Sequence, residues 1–280
     1  MNPSLGGLRV GFLGGGHMGR ALADALLKAG LPASQLWIAE SAPEVRRALQ
    51  QSLGVEVVNS GAQLPPDLEV LILAVKPQDL AAALAPIVPM LAAKPMLVVS
   101  IAAGVTLDTL RALCGAQAAL VRAMPNRPAS IGVGATALFA SEETSPADRA
   151  LATQLLAAAG AVVWVEAEAL MDVVTALSGS GPAYFFLLAE AMVDAAVAQG
   201  LPSDTARHLA LATLAGSGAM CAEDGVDLAT LRASVTSKGG TTAAALEQFQ
   251  RGDFAGLVSQ AMQAAIIRGR ELSGKASGGS

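Results

Sequence analysis

The sequence predicts an α/β protein, a Rossmann-type doubly wound and mainly parallel sheet followed by an all-α domain. Three observations carry this prediction. Short apolar runs alternate with helical periodicities over the first 165 residues, a glycine-rich hexad separates the first run from the first helix, and strand-like runs stop after Val165.

Residues 9–13 read as a strand, and residues 17–29 as a helix with Met18, Leu22, Ala25 and Leu26 on one face. A turn at Gly30 leads to a strand at 36–39, a charged-faced helix at 43–52, a short strand at 55–58 and a wholly apolar strand at 70–75. Strands at 96–101, 119–123 and 135–139 extend the series. Strands apolar on both faces and separated by helices belong to a parallel sheet covered on each side. Beyond Val165, helices are predicted over 167–177, 182–199, 203–221, 228–236, 242–250 and 254–272. Pro182 suits the first turn of a helix, and Pro202-Ser203-Asp204 supplies another start. These helices are apolar over wide arcs and need partners on several sides, which predicts that this domain dimerises. Residues 273–280 form a small, polar tail predicted to be disordered.

Composition narrows the class. A 280-residue chain that is 53% hydrophobic has ample material for a core, and much of it is alanine, with 3% aromatics. A net charge of -5 argues against nucleic acid, whose binding needs clustered Lys and Arg. Cys114 and Cys221 show no CxxC spacing, so neither a zinc site nor a disulfide framework is implied, and a reducing cytoplasm fits. No signal peptide is apparent, because Gly14, Gly15, Gly16 and His17 interrupt the first hydrophobic run. The longest uncharged run, 173–189, is split by Ser178, Gly179, Ser180, Gly181 and Pro182, a poor composition for a membrane span.

Gly14-Gly15-Gly16-His17-Met18-Gly19 satisfies G-x-G-x-x-G after a strand and at the opening of a helix. Gly14 allows the tight turn, Gly16 lets main chain approach a pyrophosphate, and Gly19 lets helix and strand pack closely. Residues 1–165 are therefore assigned as a dinucleotide-binding domain and 166–272 as a helical dimerisation and substrate domain. Glu40 ends the second strand, about twenty residues past Gly19, where a carboxylate can accept hydrogen bonds from the ribose of NAD. Ser41, Arg46 and Arg47 follow it and could instead hold the 2′-phosphate of NADP, so the residues leave the cofactor open between NADH and NADPH. Ala74-Val75-Lys76-Pro77 and the segment holding Ala102 and Ala103 end adjacent strands at one edge, where ligands lie in such sheets. A surface lysine before a proline turn is the plainer account of Lys76.

In the helical half, Ser178 to Tyr184 is a small-residue junction between helices. Thr236-Ser237-Lys238-Gly239-Gly240-Thr241-Thr242 leads into a helix, and a glycine pair before a helix N-terminus makes a nest for a carboxylate. Simple capping by a threonine is the alternative, although one hydroxyl suffices for a cap.

Taken together, GFLGGGHMGRAL, AVKP, VVSIAAGVTL, RAMPNRPA, ALSGSGPAYFF and VTSKGGTTAAAL resemble the pyrroline-5-carboxylate reductase family in content and order over nearly the whole chain. The resemblance implies reduction of 1-pyrroline-5-carboxylate to L-proline by NADPH or NADH without a metal, by a homodimer that often assembles as a pentamer of dimers. It also implies that the glycine loop, with Gly14, Gly16, His17, Met18 and Gly19, binds the pyrophosphate and that Ala74, Val75, Lys76, Pro77, Ala102 and Ala103 line ribose and nicotinamide, while Glu40 and Ser41 are assigned to the cofactor by their place at the end of the second strand. Ser237, Gly240, Thr241 and Thr242 fall where the family holds substrate, Thr242 being the hydroxyl facing the ring nitrogen, and Glu168 aligns with an acidic residue near that site. Arg127 stands where the family usually has threonine, Lys238 where it has proline, and the stretch 224–231 lacks the usual proline. A reductase of another imine or oxo acid is the competing enzymatic reading, but His208 has no supporting acid-base motif. A dinucleotide-binding regulator would have little use for a second anion nest.

Overall fold

The computed structural model describes residues 5–277 apart from 117, 223, 224 and 226. The described strands are β1 (Val10–Leu13), β2 (Leu36–Ala39), β3 (Glu56–Val58), β4 (Val70–Leu73), β5 (Leu97–Ser100), β6 (Ala119–Met124), β7 (Gly134–Ala140) and β8 (Gly160–Trp164). They form one sheet in the order β3-β2-β1-β4-β5-β6-β7-β8. Every pairing is parallel except the antiparallel β6–β7 hairpin. The order of connection reverses beside β1, whose neighbours are β2 and β4. That reversal makes the carboxyl ends of Leu13, Ala39 and Leu73 the crevice of a doubly wound sheet.

Period-2 alternation divides the strand side chains between two cores. Val70 and Ile72 of β4, with Leu97 and Val99 of β5, pack on one face beside Phe12, Leu22, Leu26 and Leu49. Leu71, Leu73 and Val98 pack on the other with Leu80, Leu84 and Leu110. Both faces are thereby dry, which is why these strands are apolar without a break.

Helices α1 (His17–Lys28) and α2 (Pro43–Leu53) connect the first three strands. As expected, α1 buries Leu22, Ala25 and Leu26, with Met18 half-buried. Four helices went unread in the sequence: α3 (Leu80–Leu84), α4 (Val88–Ala93), α5 (Leu107–Cys114) and α6 (Pro146–Ala157). The first two are five and six residues long, separated by a short turn that holds Pro86, and too short to show a period. The start of α6 is legible in principle, since Ser145 and Asp148 form a reciprocal capping box with Pro146 between them. β8 was also missed. It is the five-residue edge strand GAVVW, alternating between half-buried and exposed, whose apolar run continues directly from the alanine-rich end of α6 and so shows no boundary of its own.

The helix expected over 167–177 is instead α7 (Leu170–Val174) followed by a π-helical turn, Thr175–Gly179. Asn126 sets this turn: its Nδ2 donates to the Ser178 carbonyl at 3.0 Å, and its Oδ1 accepts the Ala135 N–H at 2.9 Å. The hydroxyls of Thr175 and Ser178 donate back to the carbonyls of Met171 and Val174. A Cβ at Gly179 would lie 2.8 Å from the Met124 methyl, so a larger residue there requires the flexible Met124 side chain to shift.

Two compact units result, one of residues up to 179 together with those from 265 onward, the other of residues 180–264. The packing boundary thus falls later than the change of composition at 165. Met171 and Ala176 are buried within the first unit, and Asp172 pairs there with Arg270. The second unit contains α8 (Gly181–Ala198), α9 (Ser203–Cys221), α10 (Leu228–Ser234), α11 (Thr241–Arg251) and the start of α12 (Phe254–Ser277). α12 extends five residues into the tail expected to be disordered, and residues 278–280 lie outside the described residues. Of the stretch 224–231, Asp224 and Val226 lie outside them too. Asp227 caps α10 by accepting the Thr230 N–H at 2.9 Å, so the helix starts without the usual proline.

Candidate active site

The glycine turn stands at the crevice. Gly14 adopts φ +97°, and a Cβ there would lie 2.7 Å from the Ala74 carbonyl oxygen. A Cβ on Gly19 would lie 2.6 Å from the Gly14 carbonyl, so α1 approaches β1 only with glycine at that position. Gly16 differs from both. It is the N-cap of α1, carries no side-chain cap, and a Cβ built on it meets nothing within 4 Å. The space over Gly16 is therefore open, and the first turn of α1 presents its positive end to it.

A cleft of about 540 Å³ opens from this turn, lined by Gly14, Gly16, Glu40, Ser41, Ala74, Val75 and Lys76, and also by Asn59, Ser60 and Asp79, which were not singled out in the sequence. Its size and open glycine wall fit a dinucleotide. Pro77 begins the short helical turn after Lys76. Ala102 and Ala103 follow β5, directly beside the end of β4, but do not line this cleft. His17 opens α1 with an exposed side chain that also lies outside it.

Glu40 has a structural task that the sequence did not reveal. One carboxylate oxygen accepts the Gly15 N–H and the other the Ala42 N–H, each at 2.9 Å. It thereby ties the glycine turn to the start of α2, leaving a second lone pair on each oxygen for a ligand. Arg46 donates to the carbonyls of Glu40 and Ser41 at 2.9 and 2.6 Å, which fixes the turn bearing the exposed Ser41 hydroxyl. Arg47 is exposed.

Glu168 is likewise engaged within the fold. Its Oε1 accepts from the Leu107 N–H at 2.7 Å, at the N-terminus of α5, and from Arg122 at 2.5 Å. The Arg122 side chain is only 10% exposed, so this pair neutralises a largely buried charge on an interior strand. Arg122 and Asn126 are the site-proximal residues that sequence reasoning passed over; both lie in RAMPNRPA, where a polar residue inside an apolar strand was the available signal. Cys114 takes no part: burial pushes its thiol up to about 11 and keeps it protonated.

In the helical unit, Gly239 takes φ +71° and Gly240 is the extended N-cap of α11, again with no side-chain cap. The Gly240 N–H donates to the Ser237 carbonyl at 3.0 Å, closing a tight turn. A Cβ on Gly240 would collide with Ser237 Oγ. The threonines therefore do not serve as the cap: Thr241 is exposed and Thr242 half-buried in the first turn. Hydroxyls and helix-start amides are gathered in one place, a suitable receptor for a carboxylate.

Comparison with known proteins agrees with both halves. Residues 168–272 match the family model for pyrroline-5-carboxylate reductase dimerisation. Residues 9–104 match that for NADP oxidoreductase, coenzyme F420-dependent. With the doubly wound sheet and its glycine turn, these matches define an NAD(P)-dependent oxidoreductase carrying a helical dimerisation domain. The chain is 43% identical over 265 residues to a pyrroline-5-carboxylate reductase of Pseudomonas aeruginosa, covering 94% of this chain and 96% of that protein. Its fold matches a pyrroline-5-carboxylate reductase structure from Coxiella burnetii with a TM-score of 0.91 and 34% identity, covering 95% of this chain and 98% of that one. A pyrroline carboxylate reductase structure from Plasmodium falciparum, solved with NADP bound, matches at 0.81 and 27% identity over 95% and 98%. The chain belongs to the pyrroline-5-carboxylate reductase family, and so is an NAD(P)H-dependent oxidoreductase of proline biosynthesis. Among the described residues, the helical run Leu170–Ala198 is long and apolar enough to cross a membrane by length and composition, and it falls within the region matched by the dimerisation model.

Proposed function

We propose that this chain reduces 1-pyrroline-5-carboxylate to L-proline by holding the dinucleotide on the glycine turn and the substrate carboxylate at the start of α11. The observation that carries the substrate assignment is the uncapped N-terminus of α11, with Ser237, Gly240, Thr241 and Thr242 around it. Bound NADPH or NADH supplies the hydride. The chain's own work is positional. Gly14, Gly16 and Gly19, with main chain of His17 and Met18, hold the pyrophosphate, while Ala74, Val75, Lys76, Pro77, Ala102 and Ala103 border ribose and nicotinamide. Glu40 and Ser41 stand at the adenosine ribose. Ser41 offers an exposed hydroxyl donor and Arg47 an exposed guanidinium just beyond Glu40, which favours NADPH over NADH.

The helix-start amides of α11 orient the substrate carboxylate. A cyclic imine that arrives protonated needs no further acid, and its ring N–H donates to the Thr242 hydroxyl oxygen, which fixes the carbon beside that nitrogen for attack. Orientation and fixed dipoles of this kind contribute about 3–4 kcal/mol in favourable sites. Glu168 acts indirectly, through Arg122 and the N-terminus of α5. The functional divisions are 1–165 for the dinucleotide and 166–272 for dimerisation and substrate; the active species is a cytoplasmic homodimer, five of which form a decamer. Its support is the exposed apolar surface of α8 within a region that matches a dimerisation domain.

Thr242→Ala tests the site. Turnover with pyrroline-5-carboxylate should fall about 100-fold, as for loss of one positioned hydrogen bond, while the NADPH dissociation constant and the melting temperature stay unchanged. A fall in melting temperature with turnover intact would return Thr242 to helix stabilisation. Steady-state kinetics with both cofactors tests the preference, and equal kcat/KM for NADH and NADPH would remove it.

A further inference from the structure

A second cavity, of about 320 Å³, opens along α1 and shares no lining residue with the cofactor cleft. His17, Arg20 and Asp24 come from one face of α1, and Arg127 and Ser130 from the short helical turn Arg127–Ile131, with Ser52 at the end of α2. Its charges are unbalanced. The Asp24 carboxylate is already paired with Lys28 at 2.6 Å. Neither the Arg20 and Arg127 guanidiniums nor the His17 imidazole has a hydrogen bond or ion pair among the described residues. The one carboxylate that lines the cavity, Asp24, is committed to Lys28, so the repulsion between two always-charged planar donors sharing the cavity is left without a dedicated counter-ion. An anion relieves that repulsion.

We infer that this groove binds a phosphate-type oxyanion, free or esterified, held by Arg20 and Arg127 with the Ser130 hydroxyl and His17 beside it. Guanidinium forks match phosphate oxygens in pairs, and the cavity has room for one tetrahedral group and a small substituent. The groove adjoins the cofactor turn through a single peptide bond, since Gly16 lines one cavity and His17 the other. On the cofactor assignment above, two anions held on either side of that bond oppose each other. Occupancy of the groove weakens cofactor binding by a bounded factor, and the effect is reciprocal.

The test uses the full chain and the double variant Arg20→Gln/Arg127→Thr, with ionic strength held constant by sodium chloride. NADPH affinity is followed by fluorescence while inorganic phosphate, and in parallel glycerol 3-phosphate, is titrated. In the parent the dissociation constant should rise about threefold with either ligand and then level off. In the variant it should stay flat and begin within twofold of the parent value. A rise without limit in both proteins would place phosphate on the glycine turn and overturn the proposal. So would no response in either protein, or a weakened NADPH affinity in the variant before any phosphate is added. Phosphorus NMR without NADPH provides an independent reading: the parent should broaden the phosphate line more than the variant does, and equal broadening counts against the groove. Should neither protein bind NADPH, the cofactor assignment fails, and the NMR difference still decides the groove.

Discussion

The sheet unit and the helical unit use apolar residues in opposite ways. In the first, Phe12, Ile38, Leu71 and Ile72 are almost completely withdrawn from solvent between helices on both faces. In the second, Phe185 is 60% and Leu187 is 67% exposed on α8, in company with Phe186, Leu188 and Met192. Leaving such side chains in water forgoes about 1.5–3 kcal/mol each, more than a unit of this size can lose without a partner. The sheet has a core of its own, whereas the helices hold half of a core that a second subunit completes. The contrast also separates the two proposed ligand cradles: a glycine turn on a rigid sheet edge, and a helix start in a unit completed by assembly.

The largest expected effect breaks the helical half alone. Leu187→Asp places a charge at the most exposed large apolar side chain of α8, and should raise the dimer dissociation constant at least about 1000-fold, or roughly 4 kcal/mol. Light scattering after size exclusion would read monomer, while the sheet unit keeps its circular dichroism. An unchanged dimer would mean that α8 faces something other than a second copy.

Next in size are two glycines of the same turn that should separate from each other. Gly16→Ala meets nothing in the free protein, so the melting temperature should hold while NADPH affinity falls about 30-fold, or roughly 2 kcal/mol. Gly19→Ala drives a Cβ against the Gly14 carbonyl, so both quantities should fall. Unaltered NADPH affinity in Gly16→Ala would remove the cradle from this position.

The smallest effect concerns Glu168. Glu168→Gln weakens its pairing with Arg122, whose side chain is 10% exposed, and should lower stability by about 1–2 kcal/mol, less than for a fully buried pair because Glu168 is 28% exposed. Thermal melts and kinetics on one preparation separate the roles. Lost turnover at an unchanged melting temperature would show that Glu168 meets substrate directly.

The strands most easily read in the sequence were those buried on both faces, such as Val70–Leu73, because a run with no polar interruption admits few alternatives. The glycine turn was equally legible, since only glycine tolerates the φ of Gly14 and the close approach at Gly19. β8 showed no boundary of its own after α6, and the short helices α3 and α4 carried too little period to be seen. At the site, the residue types around Gly240 pointed correctly to an N-terminus of a helix. Whether the threonines cap it was undecided until the extended conformation of Gly240 was seen without any side-chain partner.

Local chemistry in the chain determined the alternating sheet, the positions that must be glycine, the helix starts and the family, because each depends on residues within a few positions of one another or on their order. Tertiary structure alone decided that Glu40 is pinned to the glycine turn, that Glu168 neutralises Arg122, that Asn126 shapes a π-turn, and that Arg20 and Arg127 share a groove. Those partners lie tens of positions apart, and a side chain's range of possible partners is set by where the packed backbone carries it, which no local pattern encodes.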